Sequence, residues 1–290
     1  MTDQAKVPVK KVLVFGPSGM LGHEMVRVLK ESGLLVQTAG RSSADIQFDV
    51  ENADFTDYRF TGFDYFVNCI GLTTHNIDES DPESARAANL LNAEFPKLLA
   101  EFSSTAGTKV IQIATDCVFS GAKGKYLETD LHDAQDVYGT TKSKGEVSSP
   151  ALMHLRSSII GRELKGKKSL LEWVNGQQKG ASIPGFTDRL WNGVATTAFS
   201  KVVAGVIREG TFKPGVWHLI PANALTKAEL VEAIARALGR VDLEVVPEES
   251  GTPKDLTLAT NHPDFNQLLW TNAGYQSIPT IEELLNEISG

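Results

Sequence analysis

One stretch near the start limits the folds open to this chain. Lys11 to Phe15 reads as a short buried-type strand, and Gly16-Pro17-Ser18-Gly19-Met20-Leu21-Gly22 follows it. An amphipathic run then begins, with Leu21, Met25, Val28 and Leu29 at helical spacing. Strand, glycine turn and helix in direct succession make an anion site. The first turn of a helix offers free N–H groups, and glycines let a diphosphate approach the backbone. A glycine pattern alone is weak evidence, but here the strand before it and the helix after it are both present. Gly16, Ser18, Gly19, Met20, Leu21 and Gly22 are the residues expected at a dinucleotide.

The following segments keep the alternation. Leu34 to Ala39 predicts a second strand, ending in Gly40-Arg41-Ser42-Ser43. An acidic residue at this point would bind the ribose 2′-hydroxyl of NAD. Arg41 stands there instead, with the hydroxyls of Ser42 and Ser43 behind it. A guanidinium matches a phosphate, so the expected cofactor is NADP, with NADPH preferred over NADH. Ile46 to Val50 predicts a third strand, with Asp49 placed to meet the adenine amino group and Val50 beside it. Tyr65 to Ile70 predicts a fourth, with Cys69, Ile70 and Gly71 along the cofactor. Pro82 opens a helix carrying Ala85, Ala88, Leu91, Phe95, Leu98 and Leu99 on one side. Asn92 lies in that helix, either on the cofactor side or as a structural core residue. Strands alternating with helices over about 160 residues predict a doubly wound parallel sheet, an α/β fold.

Lys109 to Ala114 predicts the next strand and puts Thr115 at its C-terminal end, where open α/β sheets bind ligands. Tyr138 and Lys142, four residues apart, share one face of a helix predicted over 136–147. A hydroxyl, a phenol and an ammonium meeting at one point suit carbonyl reduction. The carbonyl oxygen becomes an alkoxide when hydride reaches its carbon, and it then needs a proton. Phenol has a reference pKa of about 10, and a neighbouring ammonium is expected to lower it towards general-acid range. Thr115 is expected to hydrogen-bond the same oxygen.

The pattern changes later in the chain. Met153 to Ile160 predicts another strand carrying Arg156. A basic stretch (Arg162, Lys165, Lys167, Lys168) then precedes a short helix, and a glycine-rich loop runs to Trp191-Asn192-Gly193. Ala195 to Ile207 reads as a helix returning to the sheet. Val216 to Ile220 and Leu243 to Val246 read as strands. Thr226-Lys227-Ala228-Glu229 reads as a capping box whose helix ends at Gly239, and Thr280-Ile281-Glu282-Glu283 caps a last helix. The expected division gives 10–160 plus about 194–215 to a Rossmann domain and about 161–193 plus 216–290 to a small α+β lobe. Substrate is expected in the cleft between them. Arg156 and Arg189 are candidates for its diphosphate, and Trp191 for stacking on its base.

Composition bounds the partners. The 290 residues include 28 basic and 36 acidic side chains, a net charge of −8, with none of the basic excess that non-specific nucleic-acid binding needs. No apolar run is long enough to span a bilayer. Residues 1–9 are expected to be a loose leader without an apolar signal core, which makes cytoplasm the expected compartment. Cys69 and Cys117 are the two cysteines, too few for a disulfide framework, and neither has metal-ligand spacing with a histidine. No metal is expected.

Four motifs together resemble the extended short-chain dehydrogenase/reductases, and among them most closely the dTDP-4-dehydrorhamnose reductases. They are Phe15-Gly16-x-x-Gly19-x-x-Gly22, Ala114-Thr115-Asp116-x-Val118-Phe119-x-Gly121, Tyr126-x-Glu128-x-Asp130 and Val137-Tyr138-Gly139-x-x-Lys142-x-x-Gly145-Glu146. The likeness covers most of the first 160 residues. It implies NADPH- or NADH-dependent reduction of a 4-keto-6-deoxy sugar on a nucleotide. It implies Thr115, Tyr138 and Lys142 as the catalytic triad, with Lys142 also holding the nicotinamide ribose, and Asp116, Cys117 and Val118 near the substrate. Related dehydratases carry Asp-Glu after the threonine; Asp116-Cys117 speaks against dehydration. The family commonly has Tyr at Cys117 and an aromatic at Ile159, and Arg189-Leu190-Trp191-Asn192-Gly193 replaces its later substrate loop. Two other readings share the motifs: an NADP-binding regulatory subunit of another enzyme, and a sugar-nucleotide epimerase. The expected partner is a nucleotide sugar, with a homodimer left open and neither nucleic acid nor membrane expected.

Overall fold

Strand β1 (Lys11–Phe15) shows how the sheet is filled. Val12 and Val14 join one core, Leu13 and Phe15 the other, and all four are fully buried. A parallel strand covered by helices on both faces requires that composition. The computed structural model describes residues 9–288; the leader expected over 1–9 lies, but for Val9, outside the described residues. After β1 come α1 (Met20–Glu31), β2 (Leu35–Gly40), β3 (Ile46–Gln47), β4 (Tyr65–Asn68), α2 (Pro82–Asn89), α3 (Phe95–Ala106), β5 (Lys109–Ala114), α4 (Val137–Gly145) and β6 (Leu152–Arg156). The later part adds β7 (Ile159–Ile160), α5 (Leu170–Asn175), β8 (Ser182–Phe186), β9 (Arg189–Trp191), β10 (Val194–Ala195), α6 (Thr196–Arg208) and β11 (Gly215–His218). It closes with β12 (Leu225–Thr226), α7 (Lys227–Ala237), β13 (Glu244–Glu248), β14 (Lys254–Asp255), α8 (Pro263–Asn272) and α9 (Ile281–Asn286).

Seven strands form the main sheet in the order β11-β6-β5-β4-β1-β2-β3, every neighbouring pair parallel. The order reverses between β1 and β4, which opens a crevice at their C-terminal ends. Helices α1 and α6 pack on one face, with Met25, Leu29, Phe199 and Val203 in that core. On the other face Phe15, Phe48, Phe60, Phe66 and Phe95 pack ring against ring.

Several expected elements come out differently. The third strand is two residues long, because Asp49 caps a 3₁₀ turn beginning at Val50. The helix opened by Pro82 is divided by a π turn at Leu90–Glu94. Pro96 has no N–H to donate to the Asn92 carbonyl four residues back, and widening the turn accommodates that. The strand expected over Met153 to Ile160 is two strands: β6 stays in the sheet, while β7 pairs with β10.

The glycine-rich loop before Trp191 contains β8 and β9, whose pairing partners β13, β12 and β14 all lie much later in the chain. The division at 216 is also moved. Strand β11 is the parallel edge of the main sheet, and Leu269, Trp270 and Leu284 belong to the same core as α1 and α6. The small lobe has its own core of Leu171, Ile183, Trp191, Leu230, Ile234 and Leu285.

Candidate active site

The turn after β1 is shaped by its glycines. Gly16 has a φ of +75°, and a Cβ on Gly22 would lie 1.9 Å from the Gly16 carbonyl oxygen, so the chain can fold this tightly only without side chains there. Helix α1 begins at Met20 with no side-chain cap and no acid in its first turn. Nothing on the helix competes with an anion at that end. These residues fit a dinucleotide diphosphate.

A cleft of about 480 Å³ opens there, within the usual range for small-molecule sites. Residues 18–21, 69–76, 113–115 and 157–160 line it from the sheet ends, together with Cys117, Tyr138 and Lys142. The lobe contributes residues 163–165, Ser169, Leu170, Trp191, Lys227 and Leu230. The structure therefore brings Ser18, Gly19, Met20, Leu21, Cys69, Ile70 and Gly71 into the same cleft as Thr115, Tyr138, Lys142 and Trp191. Trp191 is 4% exposed and serves both as cleft wall and as part of the lobe core.

Local geometry sets the triad. The Thr115 hydroxyl accepts from the Cys117 N–H at 3.2 Å and donates to Asp116 Oδ1 at 3.1 Å. Asp136 caps α4 by accepting the Gly139 N–H at 2.8 Å, which starts the helix one residue before Tyr138. Lys142 Nζ donates to the Ile113 carbonyl at 2.8 Å.

Burial pushes Lys142 down to about 8, so it stays charged at neutrality and loses its proton just above. The Tyr138 phenol runs against expectation. Burial pushes it up, Cys117 and Asp116 add to that, and the Thr115 hydroxyl opposes it. The phenol is thereby kept protonated. Burial also raises Cys117 and takes Cys69 up to about 12, so neither thiol is poised as a nucleophile.

Other expected residues stand elsewhere. Arg156 does not reach the cleft. It is 1% exposed, ion-paired with Glu146, and bonded to His218 Nε2 at 2.8 Å and His132 Nε2 at 2.9 Å. Arg189 does not line it either: Nη2 donates to Thr252 Oγ1 at 2.5 Å, and the guanidinium lies over Phe186. Asn92 does not line the cleft. Its amide accepts the Leu72 N–H and donates to the Leu72 carbonyl and Thr141, joining the loop after β4 to α4. Asp116 is buried beneath Thr115, its carboxyl raised by burial, and Val118 packs with Phe119, Tyr126 and Leu258. Val50 is a core residue, and Gly16 and Gly22 shape the turn without facing the cleft.

A second hollow of about 290 Å³ beyond β2 and β3 is lined by Arg41, Asp49, Asp54, Asp57 and Arg59, among others. Ser42 and Ser43 do not line it. Asp57 is engaged by Arg59 at 2.7 Å, whereas among the described residues the Arg41 guanidinium has no hydrogen-bond or ion-pair partner. Sequence reasoning missed Arg59, Thr73, Thr74, Ser158 and Lys227. Lys227 lay in the capping box, where only its helix-starting role was visible.

Comparison with known proteins bears on the fold and the family. The dTDP-4-dehydrorhamnose reductase of Escherichia coli is 29% identical over 252 residues, 79% of each chain. Methionine adenosyltransferase 2 subunit beta of Xenopus tropicalis is 29% identical over 259 residues, 81% of this chain and 74% of that one. The Bacillus anthracis dTDP-4-dehydrorhamnose reductase, solved in complex with NADP, superposes with a TM-score of 0.75 over 96% of this chain and 98% of that chain, at 18% identity, a likeness of fold. The profile of the RmlD substrate binding domain matches residues 10–279, sheet and lobe alike, and the chain belongs to that family.

Proposed function

We propose that this chain is an NADPH-dependent reductase of a 4-keto-6-deoxy sugar nucleotide, with Tyr138 delivering the proton as hydride reaches C4. One observation carries the reading: Thr115, Tyr138 and Lys142 line the same cleft as the uncapped start of α1 and the segment 69–71. The name of the Escherichia coli relative supports the substrate class, and the Bacillus anthracis complex supports NADP.

Bound in this cleft, a reduced nicotinamide would supply the hydride. The chain's residues handle the proton. Thr115 holds the carbonyl oxygen. As that oxygen becomes an alkoxide it is a far stronger base than phenolate, so a phenol kept protonated by burial gives up its proton. The phenolate left behind is stabilised by the Lys142 ammonium. Recharging from solvent returns Tyr138 to the neutral form.

The likeness to the methionine adenosyltransferase subunit favours a second reading, a regulator that binds NADP without turnover. NADPH oxidation against dTDP-, UDP- and GDP-linked 4-keto sugars separates the two. Turnover with one of them is expected. No turnover with any, together with stoichiometric recovery of a partner enzyme, would replace the first reading by the second.

A further inference from the structure

Lys227 is a lobe residue of the cleft whose place the triad chemistry leaves unexplained. It is the first residue of the eleven-residue helix α7, and its side chain lines the catalytic cleft. Its position costs stability in three ways. A cation in the first turn opposes the helix dipole. Burial pushes its ammonium down, with the nearby Asp116 opposing that. Among the described residues its ammonium has no hydrogen-bond or ion-pair partner, only the Trp191 ring 5.3 Å away.

The mount, by contrast, is rigid. Thr226 and Glu229 complete a reciprocal capping box that sets the first turn of α7, and the indole beneath the ammonium is held in the lobe core. A desolvated ammonium on a fixed mount, at the positive end of a helix and facing a cleft, is arranged for an anion that arrives with a ligand.

We propose that Lys227 is the substrate-anchoring residue of the lobe, taking an anionic oxygen of the sugar nucleotide, whether from its diphosphate or from a carboxylate on its sugar. The proposal rests on the nucleotide-sugar reading above. Cys117, which stands where the resembled reductases commonly carry tyrosine, lies close enough to Lys227 to influence its charge.

The test is the affinity of the intact protein, saturated with NADPH, for UDP, UDP-glucose and UDP-glucuronate, measured for wild type, Lys227→Met and Lys227→Arg. Lys227→Met is expected to lose about ten- to a hundredfold in affinity, the worth of one charge-assisted hydrogen bond. Lys227→Arg should keep most of it. A loss shared by all three ligands assigns the diphosphate, and a loss confined to UDP-glucuronate assigns a sugar carboxylate. Wild-type affinity for all three in Lys227→Met, with NADPH binding intact, overturns the anchoring role alone. If wild type binds no UDP ligand and no dTDP or GDP counterpart, the nucleotide-sugar reading itself fails, and the anchoring role with it.

Discussion

At the scale of single residues the proposed proton donor and the proposed cofactor-selecting cation are separable. Tyr138→Phe removes the proton and little else, so turnover should fall by about a hundredfold or more while NADPH affinity is kept. Stopped-flow NADPH oxidation on the purified variant checks it, and near-normal turnover would remove Tyr138 from the mechanism. Lys142, pushed down to about 8 by burial, carries its charge below that pH and loses it above. The phenolate left by proton transfer then loses its stabiliser. The pH profile of kcat/KM for reduction should accordingly descend above about pH 8, and Tyr138, raised by burial, should not limit it first. A profile that stays level well beyond that pH would deny Lys142 the role. Arg41, whose guanidinium faces the hollow beyond β2, should favour NADPH over NADH by about ten- to a hundredfold, the worth of one charge-assisted hydrogen bond. Arg41→Ala should erase most of that difference in a fluorescence titration.

At the scale of elements the triad depends on how closely α4 lies to its neighbours. A Cβ on Gly139 would sit 2.3 Å from the Cys117 carbonyl oxygen and 2.4 Å from Ala134 Cβ. On Gly145 it would sit 2.0 Å from the Asn92 carbonyl oxygen, in the π turn that Pro96 brings about. The two glycines let one face of α4 touch the turn that holds Thr115 and the other end touch the helix break. Gly139→Ala should push α4 off the Thr115 turn. It should cost about 1–3 kcal/mol of stability from overpacking and reduce kcat more than it weakens NADPH binding. Urea unfolding and steady-state kinetics on the same preparation read both effects. An unaltered kcat would mean that the spacing of α4 from β5 is not what aligns Tyr138 with Thr115.

At the scale of the molecule, a buried cluster joins parts that are distant in sequence. Arg156 in β6 ion-pairs with Glu146 just beyond α4, meets His218 in β11 and His132 in the preceding loop, and lies over Phe119. Glu128 accepts from Thr260 and the Asn261 N–H, drawing in the segment before α8. Burial, with Arg156 adding to it, pushes His218 down to about 4, so the folded protein refuses a proton that the unfolded chain accepts. Stability therefore falls as pH drops from about 6.5, the unfolded value, to about 4. Glu146 has the same sign. Burial would raise it, but Arg156 holds it below the carboxylate range, and its contribution, present above the unfolded value, is lost as pH falls through the folded one. The urea midpoint should drop across this window, and His218→Gln should flatten the upper part of the fall. A midpoint independent of pH there would mean the cluster titrates alike in both states.

The sequence by itself determined the doubly wound sheet and the glycine turn, and it singled out Thr115, Tyr138 and Lys142, which line one cleft, because each is written in short-range pattern. Strands and helices announce themselves by periodicity, a diphosphate turn by glycines between two of them, and Tyr138 and Lys142 by a spacing of one helical turn. Tertiary structure alone decided what the arginines do. Nothing near Arg156 or Arg189 in the chain says that one meets Glu146, His132 and His218 inside the protein and the other meets Phe186 and Thr252 outside the cleft. Strands β8 and β9 stayed hidden for the same reason, since their partners, such as Leu225 for Trp191, lie much further along the chain. Lys227 was legible only as part of a helix start. That it lines the same cleft as Thr115, Tyr138 and Lys142 follows from the packing of the lobe against the sheet ends, and packing between remote segments is set by complementary shape and burial that no local pattern records.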